Sequence, residues 1–115
     1  MQTENDRIAR MYHNLDPNDV DEILTQDFKG EHWGGTHPWD IASHRKYLES
    51  GEKRDTIHEQ FGDGDQVCTR FTRTDIHDGK NVAVDVMHVK QLRNGKIARI
   101  WEMINFKQVE EQMAK

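Results

Sequence analysis

The segment Asn81–Asn105, NVAVDVMHVKQLRNGKIARIWEMIN, contains two apolar-rich runs on either side of the dipeptide Asn94-Gly95. The runs are rich in β-branched residues, and the first alternates apolar and polar residues with the period of two that is typical of a half-buried strand. Asn-Gly is favoured at the centre of a two-residue hairpin turn, because both central residues need positive φ angles. The segment therefore predicts two antiparallel strands joined by a tight turn.

Two more β-type runs lie upstream of this hairpin, DTIHEQF at residues 55–61 and QVCTRFTRT at residues 66–74. GDGD at 62–65 separates them, and a second turn-like segment, IHDGKN at 76–81, leads into the hairpin. Short segments rich in Gly and Asp are typical of β-turns. The second half of the chain thus predicts a four-strand antiparallel meander, followed by a last helix at 106–115.

The first half of the chain carries helical patterns. Thr3 with Asp6 three residues later has the form of a capping box, and a first helix is predicted by apolar residues at helical spacing, namely Ile8, Met11, Tyr12 and Leu15. Asp16-Pro17 is expected to end that helix and to start a short second one. A strand is expected to begin at about Asp27.

A third helix is expected to begin at Thr36 or His37, with Pro38 in its first turn. Gly51 would end it, and its inner stripe would be formed by Ile41, His44 and Leu48. The order of helix, helix, strand, helix and meander predicts an α+β fold. In this fold a curved antiparallel sheet wraps around the N-terminal helices and leaves a cone with an open mouth.

Composition limits the class of protein. At 115 residues the chain predicts one domain spanning residues 1–115. The formal net charge of −5 argues against nucleic acid as a partner, because phosphate binding needs a basic face. No apolar run approaches the length of a membrane span, and the first residues lack the pattern of a signal peptide. The lone Cys68 cannot form an internal disulfide, which favours a cytoplasmic location.

Three segments, NDVDEILTQDF at 18–28, GDQVCTRFTRTDIHDGK at 64–80 and NGKIARIWEMIN at 94–105, carry a family resemblance. In their order and spacing the chain resembles the NTF2-like superfamily, and within it the SnoaL-like group of polyketide cyclases and isomerase relatives. The resemblance implies the cone fold. Its functional meaning is broader, because the fold also hosts dehydratases, epoxide hydrolases and proteins without known catalysis.

Alternation sorts the meander residues into two faces. The apolar face, expected to line the cone, contains Val67, Thr69, Phe71 and Arg73 on one strand and Val82, Val84, Val86, His88, Lys90 and Leu92 on the next. Asp85 then lies on the outer face, where we expect it to pair with Arg70 across the strands. A histidine among valines must be hydrogen-bonded or must have a lowered pKa.

The resemblance assigns candidate roles to two histidines. Alignment with the steroid-isomerase branch places His32 at that branch's carboxylate general base, and His88 at the acid that hydrogen-bonds the substrate oxygen. The branch's oxyanion tyrosine falls at Met11, with Tyr12 one position away, which argues against steroid isomerase activity itself. The alternative for both histidines is a packing role with a single hydrogen bond.

A proton-abstraction site follows from these residues. His32 would act as the base, His88 would bind the oxygen, and Arg73 would clamp the developing enolate. Such a site would catalyse ketone isomerisation or aldol-type ring closure without a cofactor. The histidines lack the short spacing of a zinc site, so a cluster of His32, His88 and a glutamate is the weaker alternative.

The segment GEHWGGTHPWD at 30–40 holds two tryptophans and two histidines, and it is expected to form the rim of a cavity. Aromatic and apolar walls suit an apolar or aromatic ligand. The predicted ligand-binding residues are Tyr12, Trp33, Trp39, His44, Tyr47, Phe71, Trp101 and Met103. The alternative is that these side chains simply form the core.

A second interpretation of the chain is a non-catalytic binding or assembly module of the same fold. The outer sheet face is mildly apolar and suggests a homodimer, as this superfamily often forms, through residues that include Cys68, Thr72, Ala83, Met87 and Val89. A nucleic-acid or transport adaptor fits poorly, because the chain lacks a basic patch.

Overall fold

A computed structural model describes residues 3–114 and contains four helices and one six-strand sheet within that range. The helices are α1 (Glu4–Met11), α2 (Val20–Ile23), α3 (Ile41–Glu49) and α4 (Phe106–Met113). The strands are β1 (Leu24–His32), β2 (Thr36–Asp40), β3 (Arg54–Asp63), β4 (Gln66–His77), β5 (Lys80–Arg93) and β6 (Lys96–Ile104). Two short 3₁₀ turns, Tyr12–Asn14 and Pro17–Asp19, link α1 to α2.

The strands are arranged in the order β2-β1-β6-β5-β4-β3. The predicted four-strand meander is confirmed, since β3, β4, β5 and β6 pair in antiparallel sequence. β1 lies parallel to β6, so the sheet is mixed rather than antiparallel throughout. This parallel pairing places the N-terminal hairpin beside the end of the meander, where the cavity forms.

The expected start of the third helix was wrong. Residues 36–40 form the edge strand β2, and Asp40 is the N-cap of α3. The Asp40 carboxyl accepts a hydrogen bond of 2.9 Å from the Ser43 backbone N–H, and the Ser43 hydroxyl accepts one from the Asp40 N–H. Pro38 is tolerated in β2 because an edge strand has one side without ladder hydrogen bonds. β1 also begins earlier than expected, at Leu24.

The first helix ends earlier than predicted: α1 stops at Met11, Tyr12 lies in a 3₁₀ turn, and Leu15 is extended. The predicted last helix is α4, and Lys115 lies outside the described residues. Thr3 and Asp6 form the predicted capping box at the start of α1. The helices cover the concave face of the sheet and bury a main core of apolar residues against it, including Ile8, Tyr12, Val20, Phe28, Leu48, Val67, Leu92 and Ile100. A smaller core lies at the other end of the sheet around Phe71, Val84 and Val86, where Val109 of α4 packs. The predicted inner faces of β4 and β5 are confirmed.

α4 protects the edge of β5 beyond the end of β6. The Gln112 side-chain amide binds both the N–H and the carbonyl of Ala83, at 2.8 and 2.6 Å. The Gln108 amide accepts from the Asp85 N–H and donates to its carboxyl. Asp85 lies on the outer face as predicted, but the expected pair with Arg70 was wrong, because Arg70 binds Glu59 at 2.7 Å.

None of the helices formed by residues 3–114 has the length and apolar composition that crossing a membrane requires.

Candidate active site

A cavity of about 180 Å³ lies between α3, the end of α1 and the concave face of the sheet. Its lining combines aromatic walls with a small group of ionisable side chains. The lining residues are Tyr12, His32, Trp39, Ser43, His44, Tyr47, Arg73 and Glu102. They come from elements that are distant in sequence, so the cavity exists only in the folded chain.

Strand register places a carboxyl group between two histidines. On the parallel pair β1–β6, His32 lies opposite Glu102, and on the antiparallel pair β5–β6, His88 lies opposite the same Glu102. Side chains at opposite positions on one face of a sheet are close enough to interact. The row His32–Glu102–His88 therefore follows directly from the pairing of three adjacent strands.

Glu102 contacts both histidines and an arginine. Its Oε2 lies 2.8 Å from His88 Nε2, and its Oε1 lies 3.4 Å from His32 Nε2. Arg73 Nη1 is 3.7 Å from Oε2. The side chains of Glu102 and His32 are 6% and 15% exposed, so both reach the cavity while remaining largely desolvated. We refer to these four residues as the Glu102 cluster.

Burial lowers the pKa of both histidines in the Glu102 cluster. For His32, burial is the main cause, and the charge of Glu102 opposes it. For His88, complete burial and the charges of Lys90 and Arg73 hold the pKa well below its usual value. Both imidazoles are therefore neutral near pH 7. Within residues 3–114, His32 Nδ1 has no hydrogen-bond partner.

A second carboxyl lies behind the cavity, at Asp55 of β3. It binds Arg73 Nε at 3.1 Å, His13 Nδ1 at 2.7 Å and Lys53 Nζ at 2.9 Å. Burial would raise the pKa of Asp55, but the hydrogen bond from His13 and the charges of Arg73 and Lys53 hold it far below its usual range. These residues, with Lys90, are the Asp55 cluster.

Lys90 extends the Asp55 cluster into the core. Its ammonium nitrogen lies 2.8 Å from His13 Nε2 and 2.9 Å from the Thr69 hydroxyl. Burial lowers the pKa of Lys90 well below its usual value, and burial also lowers the pKa of His13, to about 3. The alternation in β5 predicts that Lys90 lies inside the cone, but no local pattern links it to His13, which is 77 residues away.

Tyrosines and a third histidine form the wall opposite the sheet. Tyr12 and His44 stack with ring centroids 4.8 Å apart, and the Tyr12 hydroxyl lies 3.4 Å from His44 Nδ1. Burial lowers the pKa of His44 to about 3 and raises that of Tyr12. The Tyr47 hydroxyl donates to the Asp75 carboxyl.

The structure gathers about half of the predicted site residues at the cavity. Those that line it are His32, Arg73, Tyr12, Trp39, His44 and Tyr47. His88 lies behind Glu102 and is fully buried. Phe71 is also fully buried and contacts the rings of His13 and His88 edge-on.

On β6 the side chains that point into the cone are not the ones that were predicted to bind ligand. Glu102 points inward, so Trp101 and Met103 on either side of it point to the outer face, where the Arg99 guanidinium lies over the Trp101 ring. Glu102 was missed because Trp101 and Met103 were assigned to the inner face. Ile100, an apolar residue two positions before Glu102, would have indicated that Glu102 shares the buried face.

The Trp-rich segment at 30–40 is a hairpin with one tryptophan inside. Trp39 packs over Gly30, where an added Cβ would lie 2.2 Å from the indole ring. Trp33 lies in the turn and is 68% exposed. The His37 ring stacks on His32 with ring centroids 4.4 Å apart, and the ring of Phe106 at the start of α4 lies 5.3 Å from that of His32.

His32, His88 and a glutamate do form a cluster, which was the metal alternative left open by the sequence. Glu102 is hydrogen-bonded to His88 and lies 3.4 Å from His32 Nε2. Across residues 3–114 no three His, Cys, Asp or Glu side chains are grouped as metal ligands.

A curved sheet with helices around a small cavity is the NTF2-like fold, which the chain shares with a solved NTF2-like protein from Burkholderia pseudomallei. The chain belongs to the SnoaL-like domain family, whose model matches residues 6–100. Comparison with curated proteins gives no significant sequence match.

Solved structures with the same fold cover nearly the whole chain. A protein from Jannaschia sp. CCS1 described as a SnoaL-like polyketide cyclase is 14% identical, with a TM-score of 0.80 over 98% of this chain and 93% of that one. An LEH-like epoxide hydrolase from M. tuberculosis is 22% identical, with a TM-score of 0.78 over 98% and 94%. TerC, co-crystallised with polyporic acid, is 18% identical, with a TM-score of 0.76 over 98% and 100%.

Proposed function

We propose that the cavity binds a small carbonyl compound and that His32 removes a proton from the carbon next to the carbonyl. The resulting enolate is reprotonated at another carbon in an isomerisation, or attacks a second carbonyl in a ring closure. The observation that carries this proposal is a neutral, cavity-lining histidine held against a carboxyl group at 3.4 Å. A neutral imidazole is an effective general base near pH 7.

Glu102 makes His32 a better base in this mechanism. The carboxylate, 3.4 Å from Nε2, stabilises the imidazolium that forms when His32 takes the proton. His88 and Arg73 hold Glu102 from behind, at 2.8 and 3.7 Å. We assign His88 to this positioning role, since it does not line the cavity.

The size and walls of the cavity limit the substrate. A cavity of about 150 Å³ is sufficient for benzene, so about 180 Å³ accommodates one ring with a carbonyl substituent. Tyr12, Trp39 and Tyr47 provide aromatic surface for that ring. The substrate is therefore a single-ring compound, or a larger one whose reactive end alone enters the cavity.

The test is α-proton exchange of acetophenone in D₂O, followed by ¹H NMR. The wild-type chain is expected to accelerate the exchange of the methyl protons, and His32→Ala to reduce this acceleration by about 10²-fold, because a positioned general base contributes roughly that much. His77→Ala, which removes an exposed histidine at the end of β4, is the matched control and retains full exchange. Exchange no faster than in buffer, or equal in wild type and His32→Ala, would overturn the proposal.

A second candidate function is ligand binding without turnover, in a homodimer that pairs through the outer sheet face. Trp101 and Met103 add apolar surface to this face, next to Met87 and Val89, and Met103 is 45% exposed. Under this alternative acetophenone would bind without proton exchange. Light scattering measures the dimer directly, and Met87→Lys with Met103→Lys is expected to convert it to a monomer.

A further inference from the structure

His44 is the buried polar side chain of the cavity wall that the proposed mechanism does not use. It projects from α3, is 4% exposed and lines the cavity. One ring nitrogen, Nδ1, faces the Tyr12 hydroxyl at 3.4 Å. The other, Nε2, is buried and finds no hydrogen-bond partner within residues 3–114. A buried polar nitrogen without a partner is unfavourable, and a ligand that hydrogen-bonds to it recovers that free energy.

The neighbours of His44 determine which nitrogen carries the proton. Within residues 3–114 the hydroxyl of the buried Tyr12 makes its hydrogen bond with His44 Nδ1, at 3.4 Å. A buried hydroxyl proton without an acceptor is costly, so the proton of Tyr12 is directed to His44 Nδ1. Nδ1 is then an acceptor, and the single proton of a neutral His44 is on Nε2.

The charge state of His44 agrees with this arrangement. Burial, together with the charges of Lys53 and Arg73, lowers the pKa of His44 to about 3, against the opposing charges of Asp55 and Glu102. The ring is therefore neutral near pH 7, with one N–H donor. Burial also raises the pKa of Tyr12, so its hydroxyl keeps the proton that it donates.

Arg73, the enolate clamp that the sequence suggested, has its guanidinium nitrogens turned toward carboxyl groups. Nε and Nη2 face Asp55 at 3.1 and 3.4 Å, and Nη1 faces Glu102 at 3.7 Å. The guanidinium is therefore paired with two carboxylates, and His44 is a separate, neutral donor in the cavity lining.

We propose that the Nε2–H of His44 donates the hydrogen bond to the carbonyl oxygen of the substrate, and that Tyr12 is the positioning residue that holds the proton on Nε2. The inference rests on the proposed function, because it names the oxygen-binding group of the same cavity. It also narrows the ligand class to compounds with an uncharged acceptor oxygen beside the ring.

The first test is the tautomer of His44 in the unliganded chain, read from long-range ¹H–¹⁵N NMR of the imidazole. The Nε2–H tautomer is expected in the wild type, and Tyr12→Phe is expected to populate both the Nε2–H and the Nδ1–H tautomers. Tyr47→Phe is the matched control for the tautomer, since its hydroxyl binds Asp75 instead. An Nδ1–H tautomer in the wild type would overturn the proposal.

The second test uses acetophenone labelled with ¹³C at the carbonyl, a single-ring ketone that cannot donate a hydrogen bond. Binding to the wild type is expected to shift the carbonyl resonance downfield. His44→Asn has an amide too short to replace Nε2, and it is expected to abolish the shift and to weaken binding about three- to tenfold. His44→Gln carries a longer amide donor and is expected to recover part of the carbonyl shift and part of the binding affinity.

The outcomes separate this inference from the proposed function. A carbonyl shift that survives in His32→Ala but disappears in His44→Asn supports the His44 donor even when no proton exchange occurs. Exchange that depends on His32, with the same carbonyl shift in wild type and His44→Asn, retains the base and rejects the donor.

Discussion

The Glu102 and Asp55 clusters are built from the same kinds of groups but differ in what they leave unpaired. Each has a carboxyl bound to a histidine, and Arg73 joins the two. The Asp55 side chain is fully buried, and three cationic or imidazole side chains surround it. In the Glu102 cluster, His32 lines a cavity and has an imidazole nitrogen without a partner within residues 3–114.

This difference separates a structural network from a reactive one. A buried charge whose hydrogen bonds are all made stabilises the fold only through its partners, and removing any one of them is costly. A titratable group that lines a cavity and is not fully hydrogen-bonded within the protein can exchange a proton with a ligand. The two clusters should therefore respond differently to acid and to mutation, one in stability and the other in activity.

The largest expected effect is loss of stability in acid. His13 and His44 both have a pKa of about 3 in the folded chain, against about 6.5 when unfolded. Between these values the unfolded chain binds more protons, so stability falls as the pH falls below about 6.5. Each histidine should remove about 2 kcal/mol between pH 6.5 and pH 5, at about 1.4 kcal/mol per pH unit.

Urea denaturation at a series of pH values measures this loss. His44→Gln should reduce the slope by about one proton, because it removes one of the buried rings that bind a proton only on unfolding. An unfolding free energy that is flat from pH 7 to pH 5 would contradict the buried neutral histidines.

Asp55→Ala is expected to have the next largest effect. It leaves Arg73, Lys53 and His13 buried without their shared partner, which typically costs about 3–5 kcal/mol. The control is Glu59→Ala, which breaks the exposed pair with Arg70 on the outer face and should cost less than about 1 kcal/mol. Equal losses of unfolding free energy in the two variants would remove the distinction between buried and exposed carboxylates.

Glu102→Gln should affect activity more than stability. The amide keeps the size of the side chain and can still hydrogen-bond to His88, so we expect the unfolding free energy to fall by about 1 kcal/mol. Loss of the negative charge should slow acetophenone exchange by about tenfold or more, because the imidazolium of His32 is no longer stabilised. Normal exchange in Glu102→Gln would show that Glu102 has no part in the chemistry.

Much of the fold could be predicted from local pattern. Alternation in β4 and β5 identified Arg73 and His88 as inward-facing, and Asn94-Gly95 identified the hairpin. The start of α3 was misplaced because Thr36-His37-Pro38 also has the form of a helix start. Pairing with β1 keeps these residues in a strand instead, and tertiary contacts of this kind override local preference.

The site was less predictable, because its contacts join residues far apart in the chain. Trp101 looked like the inward residue of β6, since large apolar side chains are usually buried, and this hid Glu102. His13 follows α1 in a polar stretch and gave no periodic signal that it would meet Asp55, 42 residues later. Strand register and helix packing decide such contacts, and a single sequence does not display them.

The most direct measurement compares two pH curves, the rate of acetophenone exchange and the NMR titration of His32. If His32 is the base, the exchange rate rises with pH and reaches its plateau as His32 loses its proton, with both midpoints below about 6.5. Both midpoints should move lower together in Glu102→Gln, because the charge of Glu102 raises the pKa of His32. An exchange rate that stays constant across the range in which His32 titrates would contradict its role as the base.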